Sequence, residues 1–176
     1  FDSFKGKYSH IWEYDHNTRT TTKIYDDIMQ IYRCFYLHDK IMVLGTFAKE
    51  YGAMEAGKFY ILNNGQMEFV IDNEYSMYNS VGSDCRYGHG KNFAKDDNGD
   101  AYFITSANEG SIVVKIEDNK LKTVVDYNGS CDDMAIGDDI YVIGLAGQKL
   151  QEVYKYSDNE LIALTALNAK VLSDKY

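Results

Sequence analysis

The stretch that decides the fold is Gly99-Asp-Ala-Tyr-Phe-Ile-Thr-Ser-Ala-Asn-Glu-Gly-Ser-Ile-Val-Val-Lys-Ile-Glu-Asp-Asn-Lys-Leu-Lys-Thr-Val-Val-Asp-Tyr127. It reads as a turn, a strand, a loop and a tight hairpin. β-Branched and aromatic residues fill the runs, and Gly, Asn and Asp punctuate them. A similar unit follows. Asp100 and Asp139 stand 39 residues apart, and each opens a strand with Tyr at its second position, Tyr102 and Tyr141. Asp118-Asn119 and Asp158-Asn159 stand 40 apart, each in a hairpin turn. Asn63-Asn64 and His16-Asn17 hold the same place in two earlier units.

Each unit therefore holds two hairpins in about 40 residues, the period of a four-stranded propeller blade. With Asp96-Asp-Asn-Gly-Asp-Ala-Tyr-Phe103 introducing a strand, the chain resembles motif-poor β-propeller repeat proteins. In texture it is similar to extracytoplasmic ligand-binding propellers of surface lipoproteins. The WD dipeptide, the Kelch double glycine and the sialidase box are missing from the sequence.

The reading is all-β and β-propeller-like, one unit over 1–176 with about 3.5–4 four-stranded blades. The blades are placed at 9–25 (partial), 29–72, 91–127 and 133–167. Either both termini complete a four-bladed ring, or the chain is part of a larger one. The start at Phe1 rather than Met suits the second alternative. An open arc leaves a strand edge that a partner would cover, so intermolecular completion is one expectation. Residues 1–8 and 169–174 read as further strands.

Composition narrows the function classes. The net charge is −9 with only three arginines, so phosphate backbones are repelled and no nucleic-acid partner is expected. No run of 18 apolar residues occurs, so no membrane span is expected. No basic-then-apolar leader opens the chain, which says nothing of compartment. An extracytoplasmic or surface setting is what the resemblance implies. Proline is absent, so turns depend on Gly, Asn and Asp. Cys34, Cys85 and Cys131 lack metal spacing and read as small buried hydrophobes, with one disulfide the alternative. Asn128-Gly-Ser130 fits a glycosylation sequon but is equally a turn.

No catalytic motif is present, and the histidines at 10, 16, 38 and 89 are scattered. No catalytic residue, metal site or cofactor is assigned. Asp96–Asp100 resembles a calcium loop, but glycine falls two places early for an EF-hand and position 12 is Ala107. It reads as a turn.

The candidate site is the longest irregular stretch, 73–91, with its companion 47–57. Ligand-binding residues are assigned as Arg33, Tyr51, Tyr78, Arg86, Tyr87 and His89. Arginine grips a carboxylate or phosphate, and tyrosine stacks on a sugar ring. A solvated loop with Arg86 paired to Asp84 or Asp132 is the plainer alternative. The expected function is a non-enzymatic binding module for a small anionic or glycan ligand, or a protein partner, through loops 25–33, 47–57, 73–91 and 105–111. A propeller glycosidase or lyase, and a structural assembly subunit, are the alternatives.

Overall fold

A computed structural model describes residues 8–47, 50, 56–75, 91–107, 110–127, 129–146 and 150–173. Its strands are β1 (Tyr8–Asp15), β2 (Thr20–Ile28), β3 (Gln30–Leu37), β4 (Lys40–Thr46), β5 (Lys58–Asn63), β6 (Gln66–Ile71) and β7 (Phe93–Lys95). There follow β8 (Ala101–Ala107), β9 (Gly110–Glu117), β10 (Lys120–Tyr127), β11 (Gly129–Ile136), β12 (Ile140–Ala146), β13 (Glu152–Ser157) and β14 (Glu160–Ala163). They form sheet A (β1–β2) and three four-stranded sheets, B (β3–β6), C (β7–β10) and D (β11–β14). Every neighbouring pair is antiparallel.

The turn residues set this pattern. Asp118, Asn119, Asp158 and Asn159 all have φ between 50° and 63°, and Asn64 at 49° precedes Gly65 at 79°. Two successive positive φ values match the right-handed twist of the flanking strands, and Asn, Asp and Gly adopt them at least cost. His38 and Arg19 take the same region without that chemical advantage.

The chain divides into two compact units, Phe1–Glu74 and Tyr75–Tyr176. In the first, sheets A and B enclose Tyr25, Met29, Val43, Tyr60 and Leu62, flanked by Ile11 and Ile24. In the second, sheets C and D enclose Tyr102, Ile104, Val113, Val125, Met134, Val142 and Tyr154.

The repeat reaches the bulges. Register shifts fall between Ile11 and Trp12, Phe59 and Tyr60, and Val113 and Val114. Counted back from their turns, these three pairs are equivalent. Sheet A is thus a third-and-fourth-strand hairpin of the same repeat. A second bulge recurs in first strands, between Ile31 and Arg33 and between Cys131 and Asp133. A glycine of the second strand pairs there, Gly45 with Ile31 and Gly144 with Cys131. A Cβ on Gly45 would stand 2.6 Å from Gln30 O, and one on Gly144 2.2 Å from Ser130 O.

Two expectations are corrected. Residues 169–173 form not a strand but a short helix, α1 (Ala169–Ser173). Alternating burial is not available there: Ala169, Lys170 and Val171 are all exposed. The last blade begins at Gly129 rather than 133, because polar Ser130 and Asp132 extend β11 where an apolar pattern gives no signal. The expected strand at 1–8 lies outside the described residues except for Tyr8, which begins β1.

Candidate functional site

Antiparallel order gives each four-stranded sheet two unlike ends. One end holds the hairpin turns. The other holds the starts of the first and third strands and the ends of the second and fourth, where the connections between hairpins and between sheets attach. Among the described residues, the buried polar and charged side chains are Thr46, Asn73, Thr105, Ser111, Ser130, Asp132 and Glu152. All of them lie at the loop end of their own sheet. Burial of polar groups is costly unless they are hydrogen-bonded; Thr46 Oγ1 finds no partner, whereas Asn73, Ser111, Ser130, Asp132 and Glu152 make the bonds described below.

In the first unit the loop bases meet at Gly57, just before β5. Asn73 Nδ2 donates to Gly57 O at 2.7 Å. A Cβ at Gly57 would meet the Tyr32 ring at 2.7 Å, so only glycine lets that ring lie over the chain. The bulge at Tyr32, the end of 47–57 and the start of 73–91 are thereby fastened together. Lys58, next in line, pairs with Asp72. That ammonium, and then the Asn73 N–H, hold the Asp72 carboxyl below its usual range.

The second unit repeats the fastening with other residues. Asn168 Nδ2 donates to Gln151 O at 2.8 Å. Gln151 precedes β13 as Gly57 precedes β5. Glu152, at the place of Lys58, accepts from Thr165 Oγ1 at 2.5 Å and from the N–H groups of Leu167 and Asn168, both at 3.0 Å. The Thr165 hydroxyl first, and these backbone donors with it, bring the Glu152 carboxyl down to about 2. Asp132 stands at the bulge place of Tyr32, with Ser130 Oγ at 3.2 Å and Gln151 Nε2 at 3.5 Å. Ser111 Oγ accepts from the Cys131 N–H at 3.0 Å and ties sheet C to sheet D.

Of the six assigned ligand residues, Arg33 alone lies among the described residues. It sits half-buried on β3 beside the bulge, facing Leu44, and burial lowers its pKa. Tyr51, Tyr78, Arg86, Tyr87 and His89 lie outside the described residues. So does Cys85. The other two thiols are free: Cys131 is buried, whereas Cys34 is exposed, against expectation. Burial, and then Asp132 and Asp133, push the Cys131 thiol up to about 12, which removes it as a nucleophile near neutral pH.

The Asp96 turn consumes its own carboxylate. Its Oδ1 accepts from the N–H groups of Asn98 at 3.0 Å and Asp100 at 2.9 Å, and Oδ2 takes the Tyr102 hydroxyl at 3.1 Å. Among the described residues, no group of three or more His, Cys, Asp or Glu is placed to hold a metal ion. No described helix is long and apolar enough to cross a membrane.

No family model and no curated protein matches the chain. Solved structures do. The Pyrococcus horikoshii acylaminoacyl peptidase matches with a TM-score of 0.65 and 16% identity over 97% of this chain. The β-propeller domain of the Trilobed protease from Pyrococcus furiosus, with an open velcro topology, matches with a TM-score of 0.63 and 16% identity over 93%. The chain has a β-propeller fold. It spans 25% of the first structure's chain and 47% of the second's. Propellers host unrelated activities on one scaffold, so this likeness carries the fold alone.

Proposed function

We propose that this propeller chain is a non-enzymatic binding module whose loop ends engage a small anionic or glycan ligand. The observation that supports it most is the sorting of every described buried polar side chain to the loop end of its sheet. Such a base fixes where loops start and finish while leaving their tips free to vary, which is how rigid scaffolds present recognition residues. The loops so based include 47–57 and 73–91, which bring Tyr51, Tyr78, Arg86, Tyr87 and His89 in sequence, and Arg33 stands on β3. Guanidinium and phenol groups suit a ligand that joins a carboxylate to a sugar ring.

The test is calorimetric titration of the chain with a uronic acid oligosaccharide, a neutral oligosaccharide and inorganic phosphate. The uronic acid oligosaccharide is expected to bind most tightly. Arg86→Ala is expected to weaken it about tenfold, equivalent to about 1.4 kcal/mol, with Arg33→Ala assayed separately. No binding of any of the three, or unchanged affinity in both variants, would count against the assignment.

A further inference from the structure

We infer that Lys58 and the Asn73 N–H form a carboxylate site at the loop end of sheet B, with Asp72 as its resident occupant and the carboxylate of a bound acidic sugar as the replacement. For the nature of the ligand this rests on the binding function proposed above. The site itself is built from residues of the first unit alone.

Lys58 opens β5 and Asp72 follows β6, the neighbouring antiparallel strand, so the two lie side by side at the loop end. Gly57 and Asn73 flank them, and the bond from Asn73 Nδ2 to Gly57 O at 2.7 Å ties the two segments together. The Lys58 ammonium meets Asp72 Oδ1, and the Asn73 N–H donates to the same oxygen at 2.9 Å. A charged donor and a backbone donor thus converge on one carboxylate oxygen. Charge-assisted bonds of this kind are the strong ones in anion recognition.

The pair is uneven. The Lys58 side chain is 11% exposed and that of Asp72 is 69% exposed. An ammonium held away from water is costly without an anion beside it. An exposed carboxylate loses little when it turns out into solvent. Lys58 is therefore the fixed half of the pair and Asp72 the exchangeable half. Glu152 shows the contrast. It holds the place of Lys58 in sheet D with the opposite charge, and Thr165 Oγ1 and the N–H groups of Leu167 and Asn168 close around it. Sheet D keeps its charge inside the fold, whereas sheet B pairs its charge with a side chain at the surface.

A ligand carboxylate arriving from solvent reaches Lys58 by taking the place of Asp72. No bond other than hydrogen bonds and the ion pair changes. Asp72 keeps the ammonium paired when the loop end is empty, and it competes with any ligand that enters. A neutral sugar hydroxyl carries no charge to offset the ammonium, so the site selects acidic sugars over neutral ones.

Calorimetric titration of wild type, Asp72→Ala and the double variant Asp72→Ala with Lys58→Met tests this with the uronic acid oligosaccharide and a neutral oligosaccharide. Asp72→Ala is expected to bind the acidic oligosaccharide about tenfold more tightly than wild type, equivalent to about 1.4 kcal/mol. Adding Lys58→Met is expected to abolish that gain and to leave the neutral oligosaccharide unaffected. A purely structural ion pair gives lower stability in Asp72→Ala and no gain in affinity. If Asp72→Ala fails to fold, Asp72→Asn makes the same test with the side-chain shape kept. Melting in sodium acetate, against sodium chloride at equal concentration, reads the site without the oligosaccharide. Acetate is expected to raise the melting temperature of Asp72→Ala above its effect on wild type or on the double variant. An acetate effect that depends on Lys58, with no oligosaccharide bound, supports the site and counts against the ligand proposed above. Oligosaccharide binding that neither variant changes, or an equal acetate response in all three proteins, would overturn the site.

Discussion

Glu152 and Asn73 do at the residue scale what the apolar core cannot do at the sheet ends. Each hydrogen-bonds backbone groups at the loop bases. Asn73→Ala leaves the Gly57 carbonyl without that donor, and a loss of about 1–3 kcal/mol in urea unfolding is expected. Glu152 adds a pH dependence of known sign. Its carboxyl titrates at about 2 in the fold against an ordinary 4.5, so the folded state prefers the ionised form. Its stabilisation is present above pH 4.5 and is lost as pH falls toward 2. The stability difference between wild type and Glu152→Gln, read from urea midpoints, should therefore shrink across that window. A difference that stays constant through it would remove the latch from the account. Gly144 bears on the bulge. Gly144→Ala puts a Cβ 2.2 Å from the Ser130 carbonyl and 3.1 Å from Cys131 Cα, both backbone atoms with no side chain to yield. It is expected to destabilise the fold by about 1–3 kcal/mol in the same assay.

The element scale shows why the repeat was readable. Asp100 and Asp139 stand out in the sequence as turn punctuation, and the structure gives them a second task. Each ion-pairs with a lysine on the facing strand, beside a tyrosine. Lys115 also lies 5.5 Å from the Tyr102 ring centre. A double-mutant cycle with Asp100→Asn and Lys115→Met is expected to give a coupling of about 0.5–1 kcal/mol, small because both side chains are still partly exposed. Strand order and turn positions were legible because alternation and left-handed turn residues are local signals. The loop-end fastening was not. Asn73 and Gly57 are 16 residues apart, and Asn168 and Gln151 are 17 apart. No local pattern marks either pair, and one unit uses a Tyr–Gly contact where the other uses Asp and Gln. The sequence distance is the one signal that could have found them. Applied to sheet C, it leads from Ser111 to Asn128, which lies outside the described residues and reads in the sequence as a turn or a sequon. The candidate ligand residues were picked by type and by the length of the stretch they occupy. Of these, the fold places Arg33.

At the scale of the molecule, sheets of one repeat are built with two chemically different ends and two repeating faces. The ends separate local turns from fastened loops. The faces carry the apolar register that packs sheet A on B and C on D. The central claim is that recognition belongs to the fastened end. Hydrogen exchange of the chain with and without a saturating uronic acid oligosaccharide tests it most directly. Slowed exchange is expected in 25–33, 47–57, 73–91 or 105–111, with the turns at Asn64-Gly65, Asp118-Asn119 and Asp158-Asn159 unchanged. Protection confined to those turns would contradict it.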